Sequence, residues 1–151
     1  RRRPATGREQ PMADFIIIDG DQATFDKDFG AASVAVRDAT IRGSGPATHH
    51  KNVCVVGDEK TVVVPNCAYQ TLAYANPGLG TLRIAALASD QQATKTRTGG
   101  KLVLLKGSNF TAKFEVQQPA SQPGTPPTMD PATEYSGTGH FITHNKTLRG
   151  T

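Results

Sequence analysis

The chain has 151 residues, 36 % hydrophobic and 6 % aromatic, with no tryptophan and a formal net charge of +4; at this length one domain with a real core is expected. Arg1, Arg2, Arg3 and Arg8 against Glu9 supply +3 of that charge (four minus one), so the body is near neutral with scattered basic residues, which argues against a nucleic-acid partner or a base-stacking platform. No apolar run approaches the ~18 residues of a membrane span, Phe15–Ile18 lacks the flanks of a secretory signal, and two cysteines make no disulfide framework; cytoplasmic synthesis is the expectation.

Residues 1–11 contain no large apolar side chain, and Met12-Ala13-Asp14-Phe15 reads as a natural start. The first eleven residues are therefore read as a disordered basic tail, foreign to the domain or an over-long gene start. Phe15–Ile18, the Asp19-Gly20-Asp21 turn and Gln22–Phe25 predict a β-hairpin. Ala31–Val36 and Ala39–Ile41 predict two further strands, and Gly43–Pro46 a loop. The strongest hairpin pattern is Asn52–Val56, a turn at Gly57–Lys60, and Thr61–Val64. Tyr69–Tyr74 predicts a strand, and Asn76-Pro77-Gly78 a turn. Thr81–Leu87 fits a strand or a short helix, and Ser89–Gly100 reads as a polar loop. Lys101–Leu105 and Phe110–Val116 predict a last hairpin, the second arm alternating with period two as a half-buried strand does.

About eight to ten short strands with no convincing amphipathic helix predict an all-β fold of stacked hairpins, a cone, barrel or sandwich. The β domain is placed at 12–117. Five prolines between Gln117 and Pro131 predict a Pro-rich linker over 118–131. Residues 132–151 are left as a C-terminal extension whose Tyr135, Phe141 and Ile142 could dock on a partner or on the body. The sequence shows no internal repeat.

The side chains able to bind a transition metal are His49, His50, Cys54, Cys67, His140 and His144. If Val56 pairs with Thr61, His50 lies opposite Cys67 at roughly 5 Å. Cys54 then lies about 13 Å from Cys67, too far for a disulfide. His50 and Cys67 thus form half of a candidate zinc site, to be completed by His49 or by His140 and His144, since a closed zinc site takes four ligands. The alternative is that both cysteines are buried small hydrophobes and the histidines lie in loops. His140 and His144 have the spacing of a helical metal pair, but Phe141 stands where a zinc hydrolase needs glutamate. Ser44, Ser89, Ser108 and Ser136 lie in no nucleophile elbow, so no enzyme is expected.

Gly43-Ser44-Gly45-Pro46-Ala47, His49-His50, Val53–Asp58, Val62–Cys67 and the closing Gly100–Gly107 segment ending at Pro119-Ala120 carry a resemblance over residues 30–120. This section resembles the PAAR-like proteins that sharpen the spike of contractile injection machines, meaning type VI secretion systems, contractile phage tails and related particles. The resemblance implies a structural tip or adaptor of stacked β-hairpins, pinned by zinc on His and Cys, that caps a trimeric β-helical spike. Its Pro-rich segment and tail would be an extension or a tether for cargo, and the protein would be assembled into a particle or secreted with it. The other readings are a metal-free virion or tail decoration protein, and a small ligand-binding or hydrolytic β-barrel.

Overall fold

The structure, a computed structural model, describes residues 13–48 and 51–151. The tail expected over residues 1–11 lies outside them. Among the described residues the regular structure is all β apart from two single 3-10 turns, Asp58–Thr61 and Ser89–Gln91. Its strands are β1 (Asp14–Phe15), β2 (Gln22–Phe25), β3 (Asp28–Phe29), β4 (Ala32–Val34), β5 (Ala39–Thr40), β6 (Ala47–Thr48), β7 (Lys51–Asn52), β8 (Val63–Thr71) and β9 (Gly78–Ala86). They continue with β10 (Gln92–Thr98), β11 (Lys101–Leu104), β12 (Phe110–Gln118), β13 (Ser121–Gln122), β14 (Thr128–Met129), β15 (Glu134–Ile142) and β16 (Arg149–Gly150). No helix among the described residues is long and apolar enough to cross a membrane.

Eight strands form one antiparallel sheet in the order β3-β4-β8-β9-β12-β15-β2-β5. The sheet curls until its two edges are bridged by one stretch of chain: Ala32–Val34 pair with Thr71–Tyr69, while Ala39 and Thr40 pair with Ala23 and Gln22. Closure removes the open edge that a flat sheet would present. The interior is filled by Phe25, Phe29, Tyr69, Phe110, Phe114 and Phe141, each at most 3 % exposed and packed edge-on or tilted at 5.2 to 6.2 Å between centroids. Rings this large need space on the facing strand. A Cβ at Gly80 would lie 2.4 Å from the Phe114 ring and 2.5 Å from the Glu115 carbonyl oxygen.

None of the three expected hairpins forms. Ile18 bridges Val53 rather than Phe25's strand, Val55 bridges Val103, and Ile16 bridges Leu105. Val63 lies opposite Arg83, and β12 pairs with β9 and β15. In each case the chain turns a corner between the two apolar runs instead of folding back. Gly20 (φ 92), Gly57 (φ 109) and Gly107 (φ 55) make these corners possible. The polar stretch expected as a loop over 89–100 contains β10, which pairs with β11 across the Gly99-Gly100 turn. Of Thr81–Leu87, all but Leu87 resolves as strand, within β9.

The C-terminal third also differs from expectation. Residues 132–151 supply β15, in the sheet between β12 and β2, and β16, which pairs with β1. A strand with both edges occupied is part of the barrel and is not available as a tether. The segment expected as a linker over 118–131 is likewise anchored. It carries the β13–β14 pair and is pinned by Asp130, which is 5 % exposed.

Candidate functional site: a three-fold ring at the head of the barrel

Segments 16–18, 53–55 and 103–105 meet at one end of the barrel, and their backbone hydrogen bonds close a circle. Ile17 N donates to Leu104 O, Leu104 N to Cys54 O, and Cys54 N to Ile17 O, all at 2.9 Å. Each bridge gains a second bond: Lys106 N to Phe15 O, Asp19 N to Asn52 O, and Val56 N to Leu102 O, at 2.8 to 2.9 Å. Ile17, Cys54 and Leu104 are thus equivalent positions, and each is fully buried in the barrel core. Their neighbours Ile16, Val53, Val55, Val103 and Leu105 alternate to the other side, into a second, smaller core with Ala93.

The equivalence runs through the whole chain. From each ring segment the chain turns at its glycine and runs down the barrel as β2–β3, β8 or β12. It returns as β4–β5, β9 or β15, and ends in β6, β10 or β16. Each of these last strands pairs with the first strand of the next unit: β6 with β7, β10 with β11, and β16 with β1. Three repeats therefore close on themselves, although the sequence has no repeat of fixed period.

Buried polar side chains tie each repeat to the one before. Asp21, with no exposed surface, accepts from Ile18 N at 2.8 Å in its own repeat, and from His144 N at 2.9 Å and the Thr143 hydroxyl in the third. Asp58 accepts from Val55 N at 2.8 Å, and from Ser44 N at 2.9 Å and Ser44 Oγ at 2.7 Å. In the third repeat Ser108 holds the corresponding place, and the second repeat supplies the polar group. There Gln91 Nε2 donates to Lys106 O and Ser108 O, and Leu105 N donates to Gln91 O. Among the described residues, no hydrogen bond joins Ser44 or Ser108 to a histidine; their hydroxyls donate to Asp58 and Asp90.

The metal-ligand candidates do not converge. Cys54 fills a ring slot whose equivalents are Ile17 and Leu104. Cys67 sits on β8 opposite Gly80, after a register shift at Pro65-Asn66 where Asn66 has φ 57. Its thiol meets the Val64 carbonyl oxygen at 3.6 Å. His140 is opposite Thr24 on β15, where buried Gly139 and Phe141 face inward on either side of it, so its side chain faces away from the interior that holds Cys67. His144 is exposed beyond the end of that strand. Extended chain separates it from His140 by about 13 Å, so the helical pair does not exist. His49 and His50 lie outside the described residues. Among the described residues no three His, Cys, Asp or Glu side chains are placed to share a metal ion, so Cys54, Cys67, His140 and His144 do not fit a common zinc site.

Both cysteines are free and buried. Burial pushes the Cys54 thiol far up, with the Asp58, Asp21 and Asp19 charges adding to it. Burial also raises Cys67, while Arg37 acts the other way. A neutral, enclosed thiol is a poor nucleophile. Neither cysteine is expected to react with a thiol-exchange reagent in the native protein, and both should react once it is unfolded. Cys54→Val should cost no more than roughly 1.5 kcal/mol in a denaturant melt, because the slot is apolar. Rapid native labelling of Cys54, or collapse of the valine variant, would contradict this placement.

The fold and ring define a class: a small β protein in which one chain imitates a closed trimer. A protein-family model described as contractile injection system spike tip protein matches residues 12–151, and the chain belongs to that family. No curated protein matches it. The sequence carried one trace of the ring. Ile16–Asp21, Val53–Asp58 and Val103–Ser108 each read as three apolar residues, any residue, glycine, then Asp or Ser. Ring centres at 17, 54 and 104 are unevenly spaced, which hides the repeat from a search at fixed period.

Proposed function

We propose that this spike-tip protein caps a trimeric β-helical spike, one copy per trimer, with its three repeats set over the three spike subunits. The closed ring at Ile17, Cys54 and Leu104 carries the reading. A partner with a three-fold axis offers three equivalent subunit ends around that axis, and a coaxial cap needs an element over each. One chain with three repeats does so while leaving a single closed end. The rigidity required of a tip comes in this reading from the ring, the barrel closure and the carboxylates Asp21 and Asp58. In this reading the chain has a structural rather than a catalytic role.

The test is stoichiometry. The full chain is mixed with the trimeric spike protein of the same apparatus, and the complex is sized by light scattering. One tip per spike trimer is expected. Three tips per trimer, or no complex at micromolar concentrations, would overturn the reading.

A further inference from the structure

The two ends of the molecule differ in chemistry. The end carrying the β1–β16, β6–β7 and β10–β11 pairs is studded with cations: Lys51, Lys95, Arg97, Lys101, Lys146 and Arg149 are all exposed. At the opposite end the barrel strands are joined by Gly30–Ala31, Leu72–Pro77 and Pro119–Thr133, loops of two, six and fifteen residues. No charged residue occurs from Gln70 to Leu82 or from Val116 to Met129. Leu72 is 107 % exposed and Met129 52 %.

The two longer loops are built as one rigid unit. Ser121 and Asn76 exchange backbone hydrogen bonds at 2.8 and 3.1 Å, and Ala75 N donates to Gln122 Oε1 at 3.0 Å. Beneath them Asp130 accepts from Tyr69 Oη at 2.8 Å, Tyr135 Oη at 2.6 Å and Ala132 N at 2.9 Å. Tyr69 Oη in turn accepts from Ala120 N at 2.8 Å. A flexible tether needs no buried carboxylate to hold it. Across the two longer loops the ordered surface carries no exposed charge and presents Leu72 and Met129, the composition of an interface core, where lysine is depleted; the exposed Lys27–Asp28 pair flanks only the shortest loop, and the order of the longer loops lowers the entropic cost of binding.

We infer that the spike seats on this loop end of the barrel, over Leu72–Pro77 and Pro119–Thr133, through an uncharged, apolar surface of its own, and that the basic strand pairs point away from it. The inference rests on the capping reading. It assigns the contact face, and the larger third-repeat loop gives one of the three spike subunits a wider contact than the others.

Binding to the purified trimeric spike is measured for the full chain, for a Leu72→Asp/Met129→Asp double variant, and for a Lys51→Glu/Lys101→Glu double variant. All four positions are exposed, and thermal melts confirm that each variant folds. Placing two carboxylates in an apolar interface should weaken binding about 100-fold or more, while the lysine variant should stay within about three-fold. Loss of binding in the lysine variant with the carboxylate variant unaffected would overturn the face assigned here and leave capping intact. Equal, small effects in both would also overturn it. Failure of the unaltered chain to bind would instead remove the capping reading.

Discussion

Asp21→Ala is expected to be among the most damaging single substitutions in the chain, lowering stability by about 2–4 kcal/mol, because it empties a fully buried site and strands three partly buried hydrogen-bond donors at once. The carboxylate serves Ile18 N, His144 N and the Thr143 hydroxyl. Thr143 and His144 belong to the last repeat and Asp21 to the first, so this side chain helps hold the seam at which the ring closes. The seam between the first two repeats, where Ser44 meets Asp58, spans a sequence separation of 14, whereas the Asp21–His144 contact spans 123. Closing the longer loop costs more entropy, and no covalent connection supports it. A typical domain is stable by only about 5–15 kcal/mol, so the variant is expected to melt well below the parent. It should also lose hydrogen-exchange protection first at β1 and β16. Asp28→Ala removes an exposed carboxylate paired with Lys27 and is the control, with an expected change below about 0.5 kcal/mol. A loss under about 1 kcal/mol for Asp21→Ala would mean that the seam is held by something other than this carboxylate.

The all-β character was readable because the evidence for it is local. β-branched runs, Gly and Pro punctuation and the period-two pattern of Phe110–Val116 report on a few residues at a time. Pairing is not local, and there the same signals misled. An apolar run, a glycine and a second apolar run describe a hairpin and a corner equally well. At Gly20, Gly57 and Gly107 the chain takes the corner, because each short run finds its partners in the other two repeats. Cys54 illustrates the consequence. As the middle of a hairpin strand it is either a candidate metal ligand or a buried small hydrophobe, set apart from the His50–Cys67 pair. As the equivalent of Ile17 and Leu104 it is a small apolar residue in a slot. The C-terminal third was misjudged for a related reason. β15 includes Ser136, Gly137, Thr138 and Gly139, a run with little apolar signal. Its glycines are there because a Cβ at Gly137 would stand 2.8 Å from the Phe29 ring, and one at Gly139 2.4 Å from the Thr24 carbonyl oxygen. The resemblance to spike-tip proteins survived these errors because it rested on residue motifs and not on the pairing.

Asp130→Asn is expected to release the third-repeat loop, and the effect should depend on pH. Burial opposes the ionised form of Asp130, but hydrogen bonds from Tyr135, Ala132 N and Tyr69 outweigh it and hold the carboxyl below its ordinary value of 3.8. A group whose pKa is depressed in the folded state contributes stability that is fully present above the unfolded value and is lost as pH falls through the folded one. At neutral pH the asparagine variant should therefore be less stable by about 2–4 kcal/mol, having exchanged charge-assisted bonds for neutral ones and turned an NH2 toward one of its former donors. The gap to the parent should stay constant from neutral pH down to about 5 and narrow below about 4, because protonation then removes the same charge from the parent. Urea melts across that range measure it directly, and a gap that does not change with pH would assign the loss to packing rather than to the charge. Glu115, whose pKa is lowered chiefly by the Arg83 hydrogen bond, titrates in the same direction. It is partly exposed and common to parent and variant, so it cancels from the difference. Because the loop is the surface assigned to the spike, the asparagine variant should also bind the spike more weakly at neutral pH, while the ring at Ile17, Cys54 and Leu104 keeps its hydrogen-exchange protection. That separation follows from the geometry: the ring and the loop occupy opposite ends of the barrel, and their buried carboxylates share no hydrogen-bond partner.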